Sequence, residues 1–73
     1  MKQFDKYKFA ERLKLLRQDK GIGQNLLAET LELSNASISY WGNARQEPSA
    51  SAIVKLAQFF DVTADYLLGI IDE

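Results

Sequence analysis

The chain has neither cysteine nor histidine among its 73 residues, and these two absences remove most familiar site chemistries. Without a thiol there is no redox centre or disulfide staple, without imidazole no His-based acid–base step, and without both the usual zinc ligand sets cannot be assembled. Only carboxylates, lysine, tyrosine and hydroxyls remain for catalysis, and a chain of 8.3 kDa buries too small a fraction of its surface to favour a deep cleft. An enzyme, a bound metal and a cofactor are therefore not expected. No apolar run approaches the roughly 18 residues of a membrane span, and the opening Met1-Lys2-Gln3-Phe4-Asp5 lacks the apolar stretch of a signal peptide. A cytoplasmic protein is expected. The sequence has one proline, Pro48, and no low-complexity segment, linker or internal repeat, which implies one domain over residues 1–73.

There is also no excess of positive charge. Nine Lys and Arg stand against ten Asp and Glu, a formal net charge of −1, with a pI near 5.3, whereas nucleic-acid-binding domains are usually basic. The charge is distributed unevenly. Lys2, Lys6, Lys8, Arg12, Lys14, Arg17 and Lys20 crowd the first twenty residues, while Asp61, Asp65, Asp72 and Glu73 lie at the other end.

What is plentiful is apolar residues, 47% of the chain, enough for a single core. Their spacing is helical. Phe9, Leu13 and Leu16 form one stripe; Ile53, Leu56, Ala57 and Phe60 follow i, i+3, i+4, i+7. Five starts, at Asp5, Gly23, Ser34, Ser49 and Thr63, carry N-cap residue types. Each also offers a residue before the cap to pair with the fourth helical residue: Phe4 with Phe9, Ile22 with Leu27, Leu33 with Ile38, Pro48 with Ile53, and Val62 with Leu67. Alternating strand patterns are absent. The expected elements are helices at about 5–20, 24–31, 35–42, 50–60 and 64–68, with Gly21 and Gly69 ending the first and last.

Between the second and third helices, Leu27, Ala28, Leu31, Leu33, Ile38 and Trp41 suit two short helices crossing steeply, with Ala28 as the small residue at the crossing. Taken alone, this spacing fits any packed helix pair as well as it fits a DNA-binding motif. Gly21-Ile22-Gly23 is not a phosphate loop, because it lacks a preceding strand and the third spaced glycine.

Longer stretches narrow the reading. Phe9 through Arg17, Gly21-Ile22-Gly23-Gln24, Leu27-Ala28, Leu33 through Ser39, Trp41, Glu47-Pro48-Ser49 and Val62 through Gly69 together resemble the phage-repressor-like, Cro/Xre-type helix-turn-helix family, with a family-like core at about 9–69. The resemblance implies an all-α, five-helix, lambda-repressor-like domain whose second and third helices form the helix-turn-helix. It implies a sequence-specific transcriptional regulator, a repressor, that lays helix 3 in the major groove of double-stranded DNA. Carried over by position, Gln24 is the expected phosphate contact at the start of helix 2, where a helix N-terminus favours an anion. Asn35, Ala36, Ser39 and Tyr40 are expected on the exposed face of helix 3: Asn for an adenine edge, Ala for a thymine methyl, Tyr for a mixed contact. Ser37, Asn43 and Arg45 are expected at backbone phosphates. Ser34 stands with this DNA-facing set, chiefly as the cap of helix 3. A homodimer on an inverted repeat is expected, since one short reading helix covers few base pairs.

The chain departs from the family pattern at three positions. Gly42 stands where an acid usually pairs with the helix 1 arginine, here Arg17, so Arg17 needs water or another acid. Ala44 stands where Gly usually ends helix 3, so either Asn43 turns left-handed or Ala44 bears strain. Glu32 occupies the turn itself, where Gly is common. Leu15, Leu26, Phe59, Ile70 and Ile71 are apolar positions expected to be exposed or half-buried, available for self-association or simply scattered on the surface. The acidic pI leaves an alternative, a protein-interaction module such as an antitoxin-like or assembly domain that keeps the fold without DNA, because fold does not fix function.

Overall fold

A computed structural model describes residues 2–72; Met1 and Glu73, included in the expected domain and charge distribution, lie outside the described residues. The chain runs as α1 (Lys6–Lys20), α2 (Gln24–Leu31), α3 (Asn35–Gly42), α4 (Ala50–Phe60) and α5 (Ala64–Leu68), with no strand among the described residues. Each helix starts where its cap requires. Asp5 Oδ1 accepts the N–H groups of Tyr7 and Lys8, both at 3.0 Å. Ser34, Ser49 and Thr63 accept those of Ser37, Ala52 and Tyr66 at 3.1–3.2 Å. Such caps satisfy donors that helix geometry leaves orphaned, each worth about 1 kcal/mol. Gly23 caps α2 without a side-chain bond.

The helix ends repeat one device. At each, a residue with positive φ turns the chain, and the next N–H returns five residues to a carbonyl of the last turn. The turning residues are Gly21, Glu32, Ala44, Asp61 and Gly69, with φ between 54° and 80°. The returning bonds are Ile22 to Arg17, Leu33 to Ala28, Arg45 to Tyr40, Val62 to Ala57 and Ile70 to Asp65, at 2.8–3.2 Å. Three connectors, 21–23, 32–34 and 61–63, are thus the same three-residue turn: a left-handed residue, an apolar residue, a cap. Ile22, Leu33 and Val62 pack on the core from these turns, closing one helix and stapling the next.

Around these turns the core closes on Phe9, Leu13, Leu27, Ile38, Leu56 and Leu67, all essentially inaccessible. Phe9 of α1 meets Trp41 of α3 edge-on, ring centroids 6.1 Å apart, and takes Phe4 against its other side at 5.9 Å. Truncating Leu27 or Leu56 to Ala would cost roughly 2–5 kcal/mol. α5 returns to α1, where Asp5 N–H bonds the Leu68 carbonyl at 3.0 Å. A Cβ at position 69 would sit 3.0 Å from both Asp5 Cβ and Lys8 Cβ, so Gly69 is required by this close approach as well as by its φ of 80°. Arg12 holds the same corner. Its guanidinium lies 4.3 Å over the Tyr66 ring and donates to the Tyr66 and Ile71 carbonyls.

The departures also resolve here. Asn43 keeps φ −101°, so Ala44, with φ 56°, is the strained residue. Among the described residues Arg17 finds neither an acid nor a paired helix 3 residue; its Nη1 donates to the Ile22 carbonyl at 3.5 Å. No helix is long and apolar enough to cross a membrane.

Candidate nucleic-acid interface

The left-handed Glu32 turns the chain so that α3 crosses α2, with Ala28 buried between them as the small residue the crossing requires. Ile38 and Trp41 point inward and leave the opposite side of α3 in solvent. Asn35, Ala36 and Tyr40 are exposed there as expected. Ser39, expected beside them, is half-buried; the Asn43 side chain donates from Nδ2 to its carbonyl at 2.9 Å. Ser37 is half-buried too; one residue from Ile38 and four from Trp41, it lies beside the buried stripe. Ser34 is exposed and spends its hydroxyl oxygen on the cap. Arg45 is exposed and follows the left-handed Ala44, the position that holds an apolar residue in the other turns.

Gln24 opens α2 next to the start of α3. Its Nε2 donates to the Asn35 carbonyl at 3.4 Å and to Asn35 Oδ1 at 3.2 Å. Asn35 Nδ2 in turn donates to Asn25 Oδ1. Three side-chain amides from two helices therefore form one chain of hydrogen bonds at the α2–α3 corner. Sequence reasoning found Gln24 and Asn35 but missed Asn25; its adjacency to Gln24 was the available signal. It also missed the clamp role of Arg12, because nothing local to position 12 points to a carbonyl 54 residues away.

Charge is arranged around this corner rather than in it. Residues 21–28 and 33–44 carry none. Several cations are engaged within the fold: Lys8 and Arg12 near Asp72 at 3.6 and 3.7 Å, Lys55 on the Leu31 carbonyl at 3.0 Å, and Lys20 over the Phe59 ring at 4.7 Å. Lys20 thus covers an apolar ring that is itself half-buried on the core. Leu15 and Leu26 are exposed, at 49% and 55%, and Ile71 at 36%.

Two short helices crossed over a small residue, with a solvated, amide-bearing second helix, define a helix-turn-helix. The sequence matches the helix-turn-helix family over residues 13–67, and the chain belongs to it, as a member of the Cro/Xre type. It is 38% identical over 61 residues to the HTH-type transcriptional activator BcrR of Enterococcus faecalis, covering 84% of this chain and 30% of that protein. It is 36% identical over 59 residues to the HTH-type transcriptional regulator ImmR of Bacillus subtilis (strain 168), covering 81% and 46%. The chain thus spans less than half the length of these two relatives. Among solved structures it resembles the P22 c2 repressor in complex with a synthetic operator, with a TM-score of 0.77 and 30% identity over 82% of this chain and 91% of that one. It also resembles the restriction-modification controller protein C.AhdI from Aeromonas hydrophila, with a TM-score of 0.73 and 32% identity over the same shares, 82% and 91%.

Proposed function

We propose that the chain is a repressor that occupies a short operator as a homodimer, α3 of each copy lying in the major groove of an inverted repeat. The observation that carries this reading is the uncharged outer face of α3, where exposed Asn35, Ala36 and Tyr40 stand above buried Ile38 and Trp41. An acid among these side chains would repel phosphates; none stands among residues 33–44, the acids Glu29 and Glu32 lying at the end of α2 and in the turn, and this favours DNA over the alternative of a protein-interaction module, despite the acidic pI. Asn35 reads a base edge, Ala36 and Tyr40 flank it, and Gln24, Ser34, Ser37, Ser39, Asn43 and Arg45 line the approach to the backbone. Repression follows from occupancy alone. BcrR carries the name of an activator, so in vitro transcription from a template bearing the bound site decides the sign.

Selection of duplexes from a random pool tests the binding. The expected product is an inverted repeat with half-sites about 10 base pairs apart, because two reading helices must meet one face of the duplex a turn apart. A strictly 1:1 complex on an asymmetric site would remove the dimer. Asn35→Ala is expected to lose roughly 1–3 kcal/mol on the selected duplex and to relax preference at one position. Gln24→Ala and Arg45→Ala should weaken binding to selected and scrambled duplexes alike, and only Arg45→Ala should flatten the salt dependence, by about one ion.

A further inference from the structure

We infer that Asn25 is a positioning residue that reinforces the orientation in which Gln24 holds the Asn35 amide, and thereby sharpens the base preference of Asn35. This role rests on the proposed reading of Asn35 as a base contact, and the chain of bonds starts at a group whose polarity is fixed. The Asn35 backbone carbonyl only accepts, so the end of the Gln24 amide lying 3.4 Å from it must be nitrogen. That same nitrogen stands 3.2 Å from the nearer atom of the Asn35 side-chain amide, which must then be oxygen. The other end of the Asn35 amide is therefore nitrogen, and it faces Asn25, which meets it with Oδ1. Polarity passes from a backbone carbonyl through Gln24 and Asn35 to Asn25, and every member of the chain is exposed or half-buried at the corner that faces outward.

The chain orients Asn35 without exhausting it. A side-chain amide has two N–H donors and two acceptor lone pairs. Gln24 uses one lone pair of Asn35 and Asn25 uses one donor, so one of each is left. Adenine presents an N6 donor beside an N7 acceptor in the major groove, which one lone pair and one N–H can meet together. A rotated amide would offer donor and acceptor in the opposite order. Gln24 opposes that rotation from the oxygen side; on the nitrogen side Asn25 accepts from Nδ2, so a rotated Asn35 amide loses that bond unless the Asn25 amide turns with it.

The test uses the duplex that the wild-type chain selects from a random pool, together with its variants at the one position where Asn35→Ala loses preference. Asn25→Ala is expected to lower discrimination at that same position by about fivefold, the scale of one hydrogen bond, while leaving affinity for scrambled duplex and thermal stability unchanged. Asn25→Asp keeps an acceptor at the same place; it is expected to restore the discrimination while weakening binding to every duplex, because it adds negative charge beside phosphates. In an Asn35→Ala background, Asn25→Ala should have no further effect on preference. If Asn25→Ala weakens selected and scrambled duplexes equally, Asn25 is a backbone contact and the inference is overturned; if it changes neither, or if Asn25→Asp fails to rescue, it is overturned as well. Failure of the underlying reading looks different: Asn35→Ala would then leave preference intact at every position.

Discussion

Gly42 and Ala44 occupy each other's natural places. Position 42 lies in the last turn of α3, is exposed, and has nothing within 4 Å of where a Cβ would stand, so alanine there would improve the helix by about 0.5–1 kcal/mol. Position 44 has φ 56°, where alanine bears about 1–2 kcal/mol that glycine avoids. Either single change also alters the freedom of the unfolded chain, Gly42→Ala reducing it and Ala44→Gly increasing it. In the exchange Gly42→Ala with Ala44→Gly, the composition is unchanged and these unfolded-state effects cancel to first order. What survives is the strain at position 44, so the exchange should stabilise the domain by about 1.5 kcal/mol. For a chain of this size the melting temperature should rise by roughly 6–12 °C. Urea denaturation followed by far-UV circular dichroism gives the free energy, and an unchanged m value confirms that the compactness of both states is preserved. A neutral or destabilising exchange, or a gain carried wholly by Gly42→Ala, would refute the left-handed assignment of Ala44.

Arg12→Met should destabilise by about 2 kcal/mol in the same assay, since it removes charge-assisted bonds to two carboxy-terminal carbonyls and leaves Tyr66 uncovered, whereas Asp72→Asn should change stability by less than about 0.5 kcal/mol because Asp72 is 87% exposed. Equal losses would place the clamp in the ion pair instead of the carbonyls. Gly69→Ala should cost about 2–3 kcal/mol, from left-handed strain together with the 3.0 Å approach to Asp5 and Lys8; a near-neutral result would show that the α1–α5 corner yields freely.

The sequence made the helices legible because their determinants are local. Asp5, Ser34, Ser49 and Thr63 cap their helices within two or three residues of themselves, and Ile22, Leu33 and Val62 staple within six. Glycine marked the left-handed turns at Gly21 and Gly69, and the family pattern marked those near Glu32 and Ala44, but nothing marked Asp61. Glu32 and Asp61 turn the chain with the same geometry as Gly21, and no composition rule singles out a glutamate or an aspartate for that work; the returning N–H bond and the buried apolar neighbour impose it. At the site, residue types and family positions brought out Asn35, Ala36 and Tyr40, whose exposure follows from their spacing around Ile38 and Trp41. Ser39 went the other way: it lies next to buried Ile38 and is half-buried. Asn25 was hidden for a related reason: its role lies in the approach of two helices, a quantity that no single helix encodes.

The placement of charge connects these levels. Lysines and arginines near the amino terminus suggest a basic arm when counted along the chain, but in three dimensions several of them serve the fold. Lys8 and Arg12 lie beside Asp72, Lys20 covers Phe59, Lys55 closes the end of α2, and Arg17 faces the Ile22 carbonyl. Arg45 is the cation that the α3 exit sets at the rim of the corner. On the proposed reading, phosphate attraction, which is indifferent to sequence, contributes little compared with the amide contacts, which are not. A domain of net charge −1 then binds random DNA weakly and depends on base-edge geometry for its affinity. That dependence gives the amide chain of Gln24, Asn35 and Asn25 its leverage: where few charges hold the duplex, the orientation of one side chain decides which duplex is held.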